Sequence, residues 1–413
     1  MVQYAQVLMI AIPFFILLMG VEFLIGRRMG VRNYRNFDTI SSISSGMTNT
    51  LKEVLGLTII IISYTWFYNH LAFFKAEPKW WMYLVCFVGL DFAGYWSHRF
   101  EHVVNVFWNR HIVHHSSEEF NLACALRQPV STVIAVFTFL LIPTALLGVP
   151  PEVIDVVAPL HLFAQFWYHT RLIKRMGFLE KIIVTPSHHR VHHAINDIYL
   201  DKNYGQIFII WDKMFGTFQE EKDEIPPVYG VKRAVNTWNP ILINYQHLWL
   251  LIKDAVRTNK IGDKLSIWFR PTGWRPEDQK AAHPVHAIED PYACKKYDTP
   301  EGKLITTWSW IQLVINLGMM LHLMYIIADI DFSTMCLYAL FIFVSIYAYT
   351  SLMDYSRQAP FVEGLKTIFA LVIVFNLGTW FGLPAIVVIL YCLTSVAMSI
   401  FILSQPHQAI TTG

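Results

Sequence analysis

Nine apolar segments, each close to the length of a membrane-spanning helix, constrain the fold of this chain more than any other feature of its sequence. A helix that crosses a bilayer needs about 20 predominantly apolar residues. Only 15% of the 413 residues are charged, whereas soluble proteins carry about 25%. We therefore expect an all-α integral membrane protein with about nine spans, which lie near 6–26, 51–73, 80–97, 130–149, 152–169, 306–328, 332–353, 365–383 and 385–403.

The charges beside these segments predict the side of the membrane on which each loop lies. No basic residue precedes the first segment, which indicates an uncleaved anchor helix rather than a signal peptide. Because an excess of arginine marks a cytoplasmic loop, its C-terminal end is predicted to be cytoplasmic. Nine crossings then place His98, His169, the loop with Arg357 and Lys366, and the C-terminus on the cytoplasmic face. The arginines that set this orientation are Arg27, Arg28, Arg32 and Arg35.

Four regions are predicted from the distribution of apolar and polar residues. Residues 1–75 contain the N-terminal membrane helices, and residues 76–220 form a histidine-rich domain. Residues 221–305 are the only long polar stretch after the fifth segment, and their prolines exclude a long helix, so we expect a cytosolic cap or linker. Residues 306–413 form a C-terminal membrane bundle.

Histidine is the unusual residue type of the polar regions. Of the 17 histidines, eleven lie between His98 and His193. The net charge of +2 leaves no basic excess for nucleic-acid binding. The five cysteines are scattered without CxxC spacing, which indicates neither a disulfide framework nor a thiolate zinc site. The histidines are therefore the main candidates for chemistry.

Eight of these histidines form three clusters with the spacing of metal ligands. His98 and His102 lie one helical turn apart, and each of the other clusters places three imidazoles within about one turn. A zinc site uses three or four protein ligands, so this number of imidazoles predicts two metal ions. Nitrogen ligands favour iron, zinc or copper over magnesium or calcium. The predicted ligands, which are also the predicted catalytic residues, are His98, His102, His111, His114, His115, His189, His192 and His193.

Three further histidines near the clusters are candidate ligands. His161, Gln165 and His169 share one face of the fifth apolar segment, and an imidazole in a membrane is costly without a partner. His169 lies nearest the cytoplasmic end, so we expect it to be a ligand. His161, two turns deeper, and His188 are each predicted to be either a ligand or a buried core histidine.

Outer partners of the ligands are predicted from the chemistry of imidazole. A metal-bound imidazole usually donates its second N–H to a carboxylate or a carbonyl. Asp91 lies seven residues before His98 and hence on the same helix face, which makes it the first candidate. Glu119 and Asn203, which follow the second and third clusters, are weaker candidates that could equally be loop residues.

Three other functions use similar residues. His98 to His102 also has the H-x-x-E-H pattern of a metalloprotease, with Glu101 as the base, but one zinc would leave at least five clustered histidines unused. A metal transporter would place ligands near the bilayer midplane, whereas these clusters follow span ends. A metal-stabilised scaffold is the third alternative. Histidines outside the clusters are interpreted as ordinary, namely His70, His247, His283, His286, His322 and His407.

The histidine clusters and the residues around them resemble the fatty acid hydroxylase and sterol desaturase superfamily. The similarity covers residues 89–218, in the runs GLDFAGYWSHRFEH, HIVHHSSEEFNLACALRQ, QFWYHT, TPSHHRVHH and DKNYGQIFIIWDKMFGTF. Within that superfamily the chain is most similar to the alkylglycerol monooxygenases, which share these sequence runs and have four additional spans after the cap. The resemblance implies a di-iron centre held by the eight clustered histidines. Where relatives often have a further H-x-x-x-H pair, this chain has Gln165 and His169, so one of those histidines is replaced.

The resemblance also implies an activity, since the alkylglycerol monooxygenases hydroxylate the carbon next to an ether oxygen and release a fatty aldehyde and glycerol. It implies a lipid substrate from the bilayer, O2, and tetrahydrobiopterin as electron donor, although no pterin-binding signature is present in the sequence. Placement in the endoplasmic reticulum of a eukaryote, or in the inner membrane of a bacterium, rests on the same resemblance. A sterol, carotenoid, fatty acyl or sphingolipid hydroxylase or desaturase is the alternative within the superfamily.

Overall fold

The structure, a computed structural model, describes residues 2–406 and is mostly helical. The N-terminal part contains α1 (Val2–Arg28), α2 (Asn36–Val54), β1 (Ile59–Ile60), α3 (Tyr64–Leu71) and α4 (Trp80–Val103). The histidine-bearing part contains α5 (Asn105–Trp108), α6 (Ile112–His115), β2 (Ile134–Ala135), α7 (Ile142–Leu146), α8 (Pro151–Phe163), α9 (Pro186–His192) and α10 (Ile210–Met214). The remaining helices are α11 (Pro240–Arg257), α12 (Ile261–Ser266), α13 (Glu277–Ala282), α14 (Lys303–Ile326), α15 (Phe332–Met353), α16 (Ala359–Leu377) and α17 (Ala385–Ser404). Short 3-10 turns lie at Cys124–Leu126, Thr138–Leu141, Gly177–Lys181 and Ile267–Phe269. His407 lies outside the described residues.

Five of the described helices are long and apolar enough to cross a membrane, namely α1 and α14 to α17. They correspond to the first and the last four predicted spans, so the prediction of a polytopic helical membrane protein is confirmed. In the C-terminal bundle, α15 packs between α14 and α16, and α17 packs against α16.

The prediction of about nine spans is not confirmed, because two of the apolar runs are broken by turns. In the run 51–73, α2 ends at Val54 and Gly56 adopts a φ of 63°, which turns the chain into β1. The run 130–149 contains β2, a 3-10 turn and the five-residue helix α7, which has a proline in its first turn. β1 and β2 pair in parallel, so these two predicted spans instead form one small sheet.

The other two predicted spans are helical but do not meet the criteria for crossing a membrane. α8 has 13 residues, which at 1.5 Å per residue gives a length of only about 20 Å. α4 is continuous over 24 residues, but Asp91 and several aromatic residues lower its hydropathy and it is not among the five. Phe73, Leu84 and Leu160 are nevertheless 77%, 61% and 63% exposed. This apolar surface is suited to lipid rather than water, as expected of partly embedded elements.

The smaller number of crossings leaves the predicted sidedness unchanged. Removing four crossings between α1 and α14 keeps the parity of the chain, so with five crossings the histidine-bearing elements are still expected on the same side as Arg27 and Arg28, which end α1. The chain leaves α17 on that side as well. Assignment of this side to the cytoplasm stays a prediction.

A buried polar network joins the four helices of the C-terminal bundle. Lys366, which was expected in a loop, lies inside α16 because that helix begins at Ala359, and it is paired with Glu363 at 2.5 Å. The Lys366 ammonium also contacts Ser345 Oγ of α15 and the Tyr391 hydroxyl of α17, at 3.3 and 3.4 Å. The Tyr391 hydroxyl donates to Gln312 of α14 at 2.5 Å. One ion pair therefore links all four helices.

Candidate metal centre

Nine buried or half-buried histidines form two adjacent groups that could each hold a metal ion. In each group, one ligand nitrogen from every ring lies within 4.8 Å of all the others. The five-histidine group consists of His98, His102, His111, His115 and His192, and the four-histidine group consists of His114, His169, His189 and His193. The structure thus brings together the eight clustered histidines and His169.

Short elements place these rings. His98 and His102 occupy the last turns of α4, on its buried face. Thr185 caps α9, and Pro186 occupies its first turn, where its missing N–H costs nothing. The helix therefore starts at a fixed point and aims His189 and His192 at the centre one turn later.

Neighbouring histidines along the chain belong to different groups. His114 and His115 have ring planes 87° apart, and so have His192 and His193. Successive residues of a helix point about 100° apart, so adjacent rings can serve different ions. His115 and His193 then stack across the boundary, with ring centroids 4.3 Å apart. The two groups therefore lie side by side and share one boundary.

Distances between Nε2 atoms fit rings that share an ion. The Nε2 atoms of His98 and His111 lie 2.9 Å apart, and those of His102 and His115 lie 3.1 Å apart. Two ligands bound at about 2.1 Å and at a right angle lie about 3 Å apart. Four Nε2 contacts close a ring in the four-histidine group: His114 to His169 at 3.3 Å, His169 to His189 at 2.8 Å, His189 to His193 at 3.0 Å and His193 to His114 at 3.1 Å.

The electrostatics of the site also favour metal binding. Burial together with the neighbouring His102 lowers the pKa of His98 to about 3, and burial lowers the pKa of His169 to about 4. These rings are neutral at pH 7, which is the form that binds metals. The buried His192 Nε2 has no hydrogen-bond partner within residues 2–406. An unpaired buried nitrogen that points into a cluster of other nitrogens is accounted for by a bound cation.

The outer nitrogens of the rings are held mostly by backbone carbonyls. His98 Nδ1 lies 2.8 Å from the Tyr204 carbonyl oxygen, and His192 Nδ1 lies 3.0 Å from that of Lys202. Two carboxylates lie farther out at 3.6 Å, Asp201 beside His102 and Glu101 beside His111. Glu101 also accepts from Arg110 at 3.0 Å. It is thus an outer partner of the centre, which argues against a protease base.

Two of the histidines left open by the sequence lie outside both groups. His161 Nε2 contacts Asp91 at 2.9 Å and its Nδ1 contacts Gln165 at 3.2 Å, so both ring nitrogens have partners. His188 Nδ1 accepts from the backbone N–H of Thr185 in the cap of α9. We interpret both as buried core histidines.

The carboxylates and the amide predicted as outer partners bind elsewhere. Asp91 accepts from His161, from the backbone N–H groups of residues 207 and 208, and from Trp211 Nε1, so it joins α4 to α8 and α10 instead of holding His98. Glu119 pairs with Arg171 at 3.1 Å and with Lys296. Asn203 binds the backbone of residues 188 and 219. These three are corrected to supports of the loops around the centre.

A buried ion pair that the sequence did not reveal supports the second cluster. Arg127 and Asp38 are both buried and lie 2.8 Å apart. The Arg127 carbonyl oxygen lies 3.2 Å from His114 Nδ1, and its guanidinium donates to Ser116 at 2.7 Å. Ser117 donates to the same aspartate at 2.8 Å. The pair therefore fixes the segment that carries His114 to the helix α2.

Glu22 links the first membrane span to the four-histidine group. It is the buried carboxylate of α1, and it accepts from Thr170 Oγ1 at 2.5 Å, from the backbone N–H of Leu122 at 2.8 Å and from Tyr34. Thr170 directly follows His169. Glu22 therefore holds the segment that presents His169 to the centre.

We expect Glu22→Gln to weaken metal binding by the four-histidine group. The amide keeps one acceptor but turns a donor toward groups that are themselves donors. Loss of an outer partner of a metal site costs 10–100-fold in affinity or activity, and we expect about 10-fold here. Metal titration of the purified protein measures this change. Glu220→Gln, whose side chain is 62% exposed, is the matched control, and equal affinities for the two variants would contradict the role of Glu22.

A cavity of about 570 Å³ adjoins the centre on the side of the cap. His102, His115, His192 and His193 form one wall. The opposite walls come from residues 230–233, α11 and residues 272–287. Apolar and polar groups both line it, so a molecule with an apolar chain and a polar end would fit there.

Comparisons with known proteins agree with this site. Residues 83–217 match the fatty acid hydroxylase family. The alkylglycerol monooxygenase of Homo sapiens is 33% identical over 365 residues, which cover 88% of this chain and 81% of that protein. That of Danio rerio is 38% identical over 273 residues, or 64% of this chain and 59% of that protein. The ornithine lipid hydroxylase of Rhizobium tropici is 30% identical over 128 residues, 31% of this chain and 39% of that protein. No solved structure matches the chain.

Proposed function

The chain belongs to the alkylglycerol monooxygenase family, and we propose that it cleaves the ether bond of alkylglycerols with two iron ions, O2 and a reduced pterin. Family membership makes it a membrane lipid-modifying monooxygenase. The substrate, the two irons and the pterin are the proposal. Its main support is the pair of histidine groups that border one cavity.

In the proposed reaction, one atom of O2 enters a C–H bond of the carbon next to the ether oxygen. The other atom leaves as water, with two electrons and two protons from the reductant. The resulting hemiacetal breaks its C–O bond and gives a fatty aldehyde and glycerol. Bound iron supplies O2 binding and a change of oxidation state, which zinc cannot supply.

The cavity supports an amphiphilic substrate. Ile112, Leu250 and Leu251 offer apolar contacts for an alkyl chain. The buried Thr272 hydroxyl has no hydrogen-bond partner, and Arg233 makes no ion pair, in the part of the chain that the structure describes. We propose that both bind the glycerol hydroxyls and thereby hold the ether carbon against His115 and His192.

The burial of the nine imidazole rings supports a role of the protein in keeping water, and hence side reactions, away from the centre. Eight of the nine rings are buried, and the His111 side chain is 14% exposed. Bulk water therefore has little access to the centre. Neutral rings with carbonyl partners on the outer nitrogen direct the other nitrogen inward. The residues thus bind, orient and shield, while the redox chemistry belongs to the bound group.

A turnover assay with a labelled substrate tests the proposal. Purified protein with tetrahydropterin, O2 and an alkylglycerol is expected to release fatty aldehyde. If both hydrogens on the carbon next to the ether oxygen are replaced by deuterium, the aldehyde should keep one deuterium. Turnover of a sterol or a fatty acyl lipid in place of the alkylglycerol would contradict the substrate, and zinc as the only bound metal would contradict the chemistry.

A further inference from the structure

The helix α11 is apolar on two opposite faces. Its inner face, with Ile243, His247 and Leu251, is buried against the rest of the protein. Its outer face carries Leu242, Tyr245, Trp249 and Val256, which are 41%, 41%, 59% and 70% exposed. The spacing of 3, 4 and 7 residues keeps these four side chains on one side of the helix. A helix in contact with water would be polar on that side.

The apolar surface continues after α11. Ile261 and Leu265 of α12 are 72% and 71% exposed, and Phe269 in the following 3-10 turn is 72% exposed. Together with the outer face of α11 they form a continuous stretch of the chain, Pro240–Phe269, which we call the interfacial segment. Exposed apolar patches of this size mark contact with a partner or a membrane.

Basic residues flank this apolar surface. On α11, Lys253 and Arg257 lie beside the apolar face, and Lys260, Lys264 and Arg270 follow. Asp254 is buried and paired with Arg275 at 2.5 Å, which leaves Asp263 as the other acid of the segment. An apolar face bordered by lysine and arginine is typical of a helix that lies in the surface of an anionic membrane.

Both ends of the interfacial segment are attached to the ends of long helices, the candidate span α15 and α4. Asn239 caps α11 and donates to the Tyr347 carbonyl and to Ser351 Oγ, at 3.2 and 2.9 Å, in the last two turns of the span α15. At the other end, Val104 bridges to Pro271, and Asn105 donates to the Ile267 carbonyl at 3.0 Å, just beyond the end of α4. The segment is therefore held between the C-terminal end of α15 and the C-terminal end of α4.

We propose that the interfacial segment lies in the headgroup layer of an anionic membrane, with its apolar face in the acyl region and its basic residues on lipid phosphates. Its inner face carries His247, Leu250 and Leu251, which line the cavity beside the metal centre. Lipid substrate enters the cavity beside this segment, a step that rests on the proposed function. Part of the region expected to be a cytosolic cap or linker thus binds the membrane surface and borders the route by which substrate enters.

Nitroxide labels on the full chain in lipid nanodiscs test the position of the segment. Single cysteines replace Leu265, Phe269 and, as a control on the cap, the exposed Glu277, in a background with Cys294→Ser and Cys336→Ser. At 265 and 269 the label should collide with O2 at least three-fold more, relative to a water-soluble nickel chelate, than at 277. Equal ratios at all three positions would overturn the proposal. So would strong coupling between labels on two chains, because it would show a second copy on this surface.

Lipid composition tests the charge complementarity. Adding phosphatidylglycerol to phosphatidylcholine nanodiscs should raise the O2 preference at 265 further, and Lys260→Gln with Lys264→Gln should remove this increase. No response to phosphatidylglycerol in either protein would contradict binding to anionic lipid. These readouts need no turnover, so they stand even if the proposed reaction is wrong.

Steady-state kinetics test the entry route of the substrate. Leu265→Gln with Phe269→Gln is expected to raise KM for a long-chain alkylglycerol about ten-fold, while kcat and the metal content stay within two-fold. Unchanged KM would overturn the entry route. Absence of turnover in the unaltered protein would contradict the proposed function instead, and the label ratios would separate the two failures.

Discussion

His192→Ala is expected to remove metal from the five-histidine group and to lower turnover at least about 100-fold. Loss of an outer partner of a metal site costs about 10–100-fold, and we expect loss of a ligand to cost more. His192 Nε2 points into the group without any other partner in the described residues. Alanine leaves four rings in the group and opens a gap beside the cavity. Metal analysis per chain, together with aldehyde formation, measures the effect.

His114→Ala is expected to have the same effect through the other group. Its Nε2 contacts those of both His169 and His193, so its loss opens the ring of four contacts. Each variant should keep about one metal ion per chain, because the two groups use different rings. His286→Ala, at an exposed position, and His188→Gln, in the cap of α9, should keep both ions. If the protein still bound two ions and turned over normally after His192→Ala or His114→Ala, the replaced histidine would not belong to the site.

Arg127→Ala is expected to cost about 3–5 kcal/mol of stability, the usual cost of leaving one partner of a buried ion pair alone. Asp38 would remain buried without its cation, and Ser42 and Ser116 would each lose a donor. The segment with His114 would also lose its attachment to α2. Thermal unfolding in detergent should show the loss, and the four-histidine group should bind metal more weakly.

A double-mutant cycle distinguishes loss of the interaction between Asp38 and Arg127 from general disruption of the core. If the charges are coupled, Asp38→Ala with Arg127→Ala should destabilise the protein by clearly less than the sum of the two single changes. Additive losses would contradict the coupling. Arg175→Ala is the matched control, because Arg175 and its partner Glu220 are 43% and 62% exposed and such exposed pairs contribute little to stability.

The histidines that the structure groups together could be predicted as candidate ligands because their signal is local. His98 and His102, or His189 and His192, are one turn apart, and this spacing alone makes them a chelating pair on a helix. His169 could be predicted from its place on the face of an apolar segment. Glu22, Asp38 and Arg127 could not, since the contacts of Glu22 with Thr170 and of Asp38 with Ser117 and Arg127 span 79 to 148 residues of the chain and leave no periodic pattern.

The structure has five candidate spans where the sequence predicts about nine, and the difference has a physical reason. A window of apolar residues measures the free energy of transfer into lipid, but not whether the backbone is continuous. Gly56 turns the chain inside such a window, and Pro143 lies in the first turn of the separate short helix α7 inside another. In these two windows β1 and β2 pair with each other instead of forming membrane helices. Asp91 interrupts the apolar pattern of the continuous helix α4, where it accepts from four donors of other segments. The C-terminal spans lack such breaks, and there the prediction is confirmed.

The ion pair inside the C-terminal bundle restricts how the protein can be made. A lysine or an aspartate at the centre of an isolated helix costs about 2.5–3.5 kcal/mol during insertion by the translocon. Lys366 enters with α16, yet Tyr391 belongs to α17, which leaves the ribosome later. Before α17 is made, Lys366 has only Glu363 of its own helix and Ser345 of α15 as partners, and we expect the unfinished bundle to be retained beside the translocon until α17 adds Tyr391. A chain that stops between these two helices would expose a charged helix to lipid and to quality-control proteases.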